Sequence, residues 1–409
     1  MKSVTVIGAS LAGLYAARAL RAQGYDGRLT IVGEEAHPPY DRPPLSKDFL
    51  TAPSGEGSSA AEDAEDRLAL TDAEELTALD ADWLLGTRAT GLDLRHRAVR
   101  LDTGRTLTTD GLVLATGAAP LRLPGPAPAG SYTLRTLDDA RALRAELTRG
   151  PVRVVVIGGG FLGAEAASSC AALGHRVTVV EAAPVPLARQ LGAEIAQLCA
   201  TLHADHGVTL LTGTRVRALR TAGDRATADD EATAADRVTA VELTDGRLLP
   251  ADVVLTAIGV RPHTDWLDGS GLPLGDGIRC DAGCATPVPE IVAAGDVAEV
   301  AGVRAEHWTS ATEQAATAVH NLLAGRTVRT HRALPYFWSD QYGVRIQFAG
   351  HRAPGDTPRI IEGSPDDRSF LARYERAGRP TAVLAVNRPR PFQRHRRELA
   401  RAGVPASAG

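Results

Sequence analysis

The stretch VRVVVIGGGFLG, residues 152–163, decides how the rest of the chain is read. Val154 to Ile157 form a continuous apolar run, the mark of a strand buried on both faces. Gly158, Gly160 and Gly163 then fill the spacing G-x-G-x-x-G. The first glycine permits a tight turn, the second lets a pyrophosphate approach the backbone, and the third lets the next helix pack closely on the strand. A helix from Ala164 to Leu173 follows, and its N-terminus offers free N–H groups and a positive dipole end to phosphate. Val177 to Val180 predict the next strand, and Glu181 closes it. A carboxylate there accepts hydrogen bonds from both ribose hydroxyls and repels a 2′-phosphate, which predicts NADH over NADPH. Arg189, shortly after, works against that preference.

The same pattern opens the chain. Val4, Val6 and Ile7 lead into GASLAG at 8–13, a helix runs to about Ala22, and Leu29 to Val32 make the next strand. Gly8 and Gly13 hold their places, while Ser10 stands where the middle glycine would be. Serine adds a small side chain where the pyrophosphate approaches, and its hydroxyl can face the phosphate. Glu34 follows the second strand and can hold an adenosine ribose. Two such units are an internal repeat and imply two nucleotide domains, FAD on the first and NAD on the second.

Composition bounds the remaining classes. The chain has 409 residues, 44% hydrophobic and 23% charged, with a net charge of −4. That excludes a coiled coil, a collagen, a disordered chain and a small disulfide scaffold, and argues against a basic nucleic-acid binder. No window approaches about eighteen uncharged apolar residues, so no membrane span is expected. The N-terminus runs directly into a strand pattern without a signal-peptide layout, which predicts a cytoplasmic protein. Four cysteines argue against disulfide stapling, and Cys280 and Cys284 read as ordinary residues despite their spacing. No nucleophilic triad, zinc cluster or iron–sulfur cysteine pattern appears, so no metal is expected. His37, His203, His206 and His320 read as surface or turn residues, whereas His307 beside Trp308 is a candidate for contact with flavin or partner. Lys2 and Lys47 are the two lysines among 45 basic residues, which draws attention to Lys47.

Between the motifs, 51–66 reads as a loop or frayed helix edge, 87–113 as short strands and turns, and 120–128 as a proline-rich hinge candidate. Residues 221–237 read as a mobile hairpin tip. Asp252 to Gly259 and Ile291 to Ala294 predict further strands, the latter ending at Gly295 and Asp296. The texture changes near Pro335, where aromatics cluster and Val344, Ile346 and Phe348 alternate. The expected domains are 1–118 with 250–325 for FAD, 145–249 for NAD, and an α+β interface domain over 331–409.

These residues together resemble the FAD-dependent, NADH-linked ferredoxin reductases of the putidaredoxin reductase and rubredoxin reductase type. Those proteins serve bacterial cytochrome monooxygenases and ring-hydroxylating dioxygenases. The resemblance rests on 8–13, YDRPPLSK at 40–47, Ala115, Thr116 and Gly117, 158–165, AIGVRP at 257–262, Gly295 and Asp296, EHW at 306–308, and PYFWSDQ at 335–341. It implies an α/β, glutathione-reductase-like flavoprotein with two dinucleotide-binding domains and an α+β C-terminal domain. It places Arg42 near the FAD pyrophosphate, Lys47 beside the flavin ring and Asp296 at the ribitol and phosphate region. It places Glu165 near the nicotinamide carboxamide and paired with Lys47, Trp338 at the flavin edge and Trp308 near the pyrimidine end. Ala115, Thr116, Gly117, Glu306 and His307 join the FAD set, and Gly259 joins the NAD set with Gly158, Gly160, Gly163 and Glu181. The implied partner is a small acidic iron–sulfur ferredoxin feeding an oxygenase. The rivals are an NADH oxidase, which needs a redox cysteine early in the chain where the first is Cys170, and a slow redox-sensing NADH-binding flavoprotein. Arg388, Arg390, Arg394, Arg396, Arg397 and Arg401, against Glu398 alone, read either as a face that steers the ferredoxin or as a helix packed against the FAD domain.

Overall fold

A computed structural model describes residues 1–52, 59–223, 237–332 and 334–402. The chain divides into two units, the first made of Met1–Asp41, Leu68–Ala119 and Val260–Pro335, the second of Arg42–Arg67, Pro120–Gly259 and Tyr336–Gly409.

The first unit is built on a five-stranded parallel sheet. Its strand order is Ile291–Ala293, Gly111–Leu114, Ser3–Ile7, Arg28–Val32, Ala81–Leu84. The apolar run at the chain start becomes its central strand, with Val4, Val6 and Ile7 at 2% exposure or less, because both faces are covered. Helix Leu11–Ala22 buries Leu14, Ala16, Ala17 and Leu20 in the same core. Helix Trp308–Ala324 contributes Ala315, Ala318, Val319 and Leu322. Small alanines on both helices let backbones approach closely.

The second unit repeats the plan. Its five parallel strands run Thr209–Leu211, Arg176–Val180, Arg153–Ile157, Val253–Thr256, Ser131–Tyr132. Strand Val253–Thr256 pairs with Arg153–Ile157, so the boundary expected at 250 falls instead at 260. The cause is local: Val253, Val254 and Leu255 are fully buried, and only a central position in a sheet covers both faces of such a run. The segment 42–67 also belongs to this unit and not, as expected, with 1–118. Within 51–66, where a loop or frayed edge was expected, one helix ends at Thr51 and another spans Ser59–Asp66. The hairpin tip expected over 221–237 lies mostly outside the described residues, while its flanking strands Val216–Thr221 and Val238–Leu243 pair antiparallel.

The C-terminal part of the second unit is a five-stranded antiparallel sheet. Its order is Tyr336–Gln341, Val344–Gly350, Arg379–Val386, Ser369–Arg376, Thr357–Ser364. Helix Pro389–Ala402 follows, with Phe392 and Leu399 buried.

Candidate functional site

In the first unit, Gly8 turns the chain at φ +119°. A Cβ there would stand 2.0 Å from the Ala115 carbonyl oxygen, and one on Gly13 would stand 1.8 Å from the Gly8 oxygen. Strand end, turn and helix therefore meet at a closeness only glycine allows. Ser10 has φ −107° and ψ −158°, extended backbone that any residue adopts, so serine in place of glycine strains nothing. The amino end of helix Leu11–Ala22 is left with backbone donors for a phosphate. Next to Ala115, Thr116 Oγ1 donates to the His263 carbonyl at 2.9 Å, and Gly117 turns at φ +67°. Glu34 is exposed beyond strand Arg28–Val32, with Arg88 at 3.8 Å. The Gly295 amide donates to Gln314 Oε1 at 2.9 Å, which seats Asp296 at the turn after Ile291–Ala293. Glu306 is exposed and pairs with Arg304 at 2.7 Å. His307 caps helix Trp308–Ala324, and burial pushes its imidazole below the usual histidine range, against the opposing pull of Asp296. Trp308 Nε1 donates to Asp41 Oδ1 at 3.0 Å, and its ring meets Tyr15 edge-on at 5.9 Å.

The second unit has the corresponding turn. Gly158 has φ +105°, and a Cβ on it would stand 2.3 Å from the Ala257 oxygen, next to Gly259. A Cβ on Gly163 would stand 2.0 Å from the Gly158 oxygen. A Cβ on Gly160 would meet nothing within 4 Å, so here glycine leaves open space over the helix N-terminus, a cradle of the kind a pyrophosphate fills. Glu181 accepts from the Gly159 amide and the Ala183 amide, each at 2.7 Å, and is fixed at the rim of that turn. Arg189 is exposed on the short helix Ala188–Leu191.

The same unit holds a buried ionic network. Two prolines open the 3-10 turn Pro43–Ser46, which delivers Ser46 and Lys47 side by side. Buried Leu45, Phe49 and Leu50 anchor that segment, each contributing about 1.5–3 kcal/mol. Glu165 lies on helix Phe161–Ala172 at 6% exposure. Lys47 Nζ donates to Glu165 Oε2 at 2.7 Å and to the Pro43 carbonyl at 2.8 Å. Ser46 Oγ donates to Glu165 Oε2 and Ser339 Oγ to Glu165 Oε1, both at 2.6 Å. Arg42 Nη1 donates to the Arg135 carbonyl at 2.6 Å. Trp338 is half-buried on strand Tyr336–Gln341 and stacks on Tyr336 at 5.8 Å.

Lys47 and Glu165 thus stand together, but the roles of Ser46 and Ser339 on that carboxylate were not read from sequence. No periodicity marks a serine that meets its partner across distant elements. His203, expected at the surface or in a turn, is 3% exposed inside helix Ala193–Asp205, which turns it inward to Tyr342 Oη at 2.7 Å. Burial pushes its pKa down to about 4. All four cysteines are free and buried, and burial pushes the Cys170 thiol up to about 12. Among the described residues no group of three or more His, Cys, Asp or Glu could hold a metal ion, and no helix is long and apolar enough to cross a membrane.

Residues 2–315 match the pyridine nucleotide-disulphide oxidoreductase family, and residues 336–408 match the family described as reductase C-terminal. The chain is 37% identical to the ferredoxin–NAD(+) reductase component of the anthranilate 1,2-dioxygenase system of Burkholderia cepacia, covering 98% of this chain and 94% of that one. It is 34% identical to putidaredoxin reductase of Pseudomonas putida, covering 95% and 90%. Among solved structures, the covalent putidaredoxin reductase–putidaredoxin complex superposes with a TM-score of 0.85 at 33% identity, covering 97% of this chain and 93% of that one.

Proposed function

The chain belongs to the pyridine nucleotide-disulphide oxidoreductase family, and from that premise we infer how it works. It is an FAD-dependent NADH:ferredoxin oxidoreductase that passes electrons to a small acidic iron–sulfur ferredoxin serving an oxygenase. The observation that carries this reading is the pair of parallel sheets, each with a glycine turn opening a helix and a carboxylate after its second strand. One nucleotide fold would suit a simple dehydrogenase; two in one chain suit a carrier and a resident flavin.

In the first unit, Gly8, Ser10, Gly13, Glu34, Ala115, Thr116, Gly117, Asp296, Glu306, His307 and Trp308 would hold FAD. Arg42, Lys47 and Trp338 complete the proposed FAD set. Gly158, Gly160, Gly163, Glu165, Glu181 and Gly259 would bind NADH, and Glu181 would take the ribose hydroxyls. Bound FAD supplies the conversion between a two-electron hydride donor and one-electron acceptors. The residues bind and orient, and none forms a covalent bond. Overall, one NADH reduces two ferredoxins by one electron each and releases one proton. Lys47 is half-buried, and Glu165 and the Pro43 carbonyl accept hydrogen bonds from its Nζ, which offsets the cost of placing it there. The buried, high-pKa cysteines give no support to a thiol-based reductase or oxidase. A cytoplasmic location fits, since NADH is supplied there.

Anaerobic stopped-flow mixing tests the reading. NADH should bleach the bound flavin within the dead time to seconds, and an added ferredoxin should then be reduced at a comparable rate. Bleaching relieved by oxygen alone would mean an oxidase. Slow bleaching with no transfer would mean a sensor.

A further inference from the structure

Glu165 is held on both of its carboxylate oxygens. Ser46 Oγ and Lys47 Nζ donate to Oε2 at 2.6 and 2.7 Å, and Ser339 Oγ donates to Oε1 at 2.6 Å. Behind Ser339, Gln341 Nε2 donates to Ser339 Oγ at 3.1 Å. A hydroxyl has one proton to give. With the Gln341 amide filling a lone pair of Ser339, that proton points to Glu165. Ser339 is fully buried and Gln341 nearly so, so bulk water does not compete for these bonds. The terminal torsion of a glutamate is broad, and helix packing alone does not fix it. Ser339 fixes it from a different element, strand Tyr336–Gln341 of the reductase C-terminal region.

We propose that Ser339, oriented by Gln341, is a positioning residue for electron delivery from NADH. It sets the rotation of the Glu165 carboxylate so that Oε2 meets Lys47 and Ser46. The C-terminal region thereby serves the NADH half of the reaction. This rests on the reading of Lys47 and Glu165 as the pair at the nicotinamide and flavin.

The test uses the full-length, FAD-loaded protein. Ser339→Ala is made in the wild-type and Glu165→Gln backgrounds, and the limiting rate of flavin reduction by NADH is measured anaerobically. The dissociation constant for NAD+ is read separately, from the absorbance of the oxidised flavin. Ser339→Ala lowers the limiting rate about tenfold in the wild-type background and less than about twofold beside Glu165→Gln, since groups acting through one another are not additive. The NAD+ dissociation constant stays within about twofold, so the loss falls on the rate. Gln341→Met keeps Ser339 but removes the donor behind it, and lowers the rate about threefold, again only when Glu165 is present. It also carries the test should Ser339→Ala fail to fold. Equal losses in both backgrounds, or no loss in either variant, overturn the proposal. A wild-type flavin that NADH does not reduce overturns the reading of the pair and the inference with it; a wild type that bleaches no faster than Ser339→Ala overturns the inference alone.

Discussion

The Gly159 amide donates to Glu181 Oε2 at 2.7 Å, so the carboxylate that follows the second strand is tied to the glycine turn itself. Its other oxygen takes the Ala183 amide, also at 2.7 Å. Two fixed bonds leave Glu181 little freedom to swing away from an incoming ribose. Glu181→Ala should therefore narrow the NADH/NADPH ratio of kcat/KM by about tenfold, because a site built to hydrogen-bond hydroxyls loses discrimination with its acceptor. Steady-state assays with both nucleotides decide it. An unchanged ratio removes Glu181 from the ribose contact.

Two glycines of that turn should separate stability from binding. A Cβ on Gly163 would stand 2.0 Å from backbone, so Gly163→Ala should lower the melting temperature of the protein. A Cβ on Gly160 would meet no protein atom within 4 Å. Gly160→Val should leave thermal stability near wild type and raise KM for NADH about tenfold or more, because it fills only the space kept for the pyrophosphate. Differential scanning fluorimetry beside NADH kinetics checks both. A Gly160→Val protein with wild-type KM would mean that space is not the pyrophosphate cradle.

Such positions were legible because their constraint is local. G-x-G-x-x-G is a statement about one turn, and apolar runs such as Val154 to Ile157 state their own burial. Where sequence separation is large, the chain was silent. Ser339 reaches Glu165 and Ser46 reaches the same carboxylate from remote parts of the sequence, and nothing in the order of residues announces either meeting. The partition near 250 was misread for the same reason, since strand pairing across a hundred residues decides where Val253–Thr256 belongs. His203 was misread because a polar residue on an alanine-rich helix looks solvated until Tyr342 is brought over it. Arg42 and Lys47 sit together in the sequence with the first nucleotide fold, yet cluster with the second unit.

Lys47 and Glu165 should not be equally costly to remove. Without Lys47, the Glu165 carboxylate still has two hydroxyl donors. Without the Glu165 charge, the Lys47 ammonium keeps the Pro43 carbonyl as its other acceptor among the described residues, at 16% side-chain exposure. Glu165→Gln should destabilise by about 3–5 kcal/mol and Lys47→Met by roughly half that, since the larger penalty belongs to the charge left with fewer partners. Combining the two should recover part of the loss. Urea unfolding of the apoproteins measures all three, and a Lys47→Met protein less stable than Glu165→Gln would reverse the argument.

Acid should weaken the fold through His203. Its pKa is pushed down to about 4 in the folded protein by burial against Tyr342, below the ordinary value of 6.5. Between those values the unfolded chain binds a proton that the folded chain refuses, so stability rises with pH across that window and falls on acidification. The shift corresponds to about 3 kcal/mol, fully lost below pH 4. His203→Gln should start less stable at neutral pH, having changed its bond to Tyr342, yet show a flatter decline from pH 6.5 to 4.5. Chemical denaturation at several pH values follows the slope. A parallel slope in the variant would assign the acid sensitivity to other groups.

Helix Pro389–Ala402 divides its arginines by face. Phe392 and Leu399 turn inward at 0% and 4% exposure. Helical spacing then sets Arg390, Arg394, Arg397 and Arg401 together on the exposed outside with Glu398, and of these Arg394 pairs with Glu362. Arg396 is taken up differently, lying 4.2 Å over the ring of Tyr336, and Arg388 bonds Ser369. The outward face is a cationic strip on a chain of net charge −4, suited to steering an acidic ferredoxin. Reversing Arg390, Arg397 and Arg401 to glutamate together should slow ferredoxin reduction about tenfold at low salt and leave flavin reduction by NADH unchanged. The difference should shrink at about 0.5 M salt, where the screening length falls to a few ångströms. Arg396→Ala should act otherwise: it removes the cation over Tyr336, and its effect on transfer should persist at high salt. Stopped-flow transfer rates across a salt series distinguish the two. If the triple reversal leaves transfer unchanged at every salt concentration, the strip does not meet the ferredoxin.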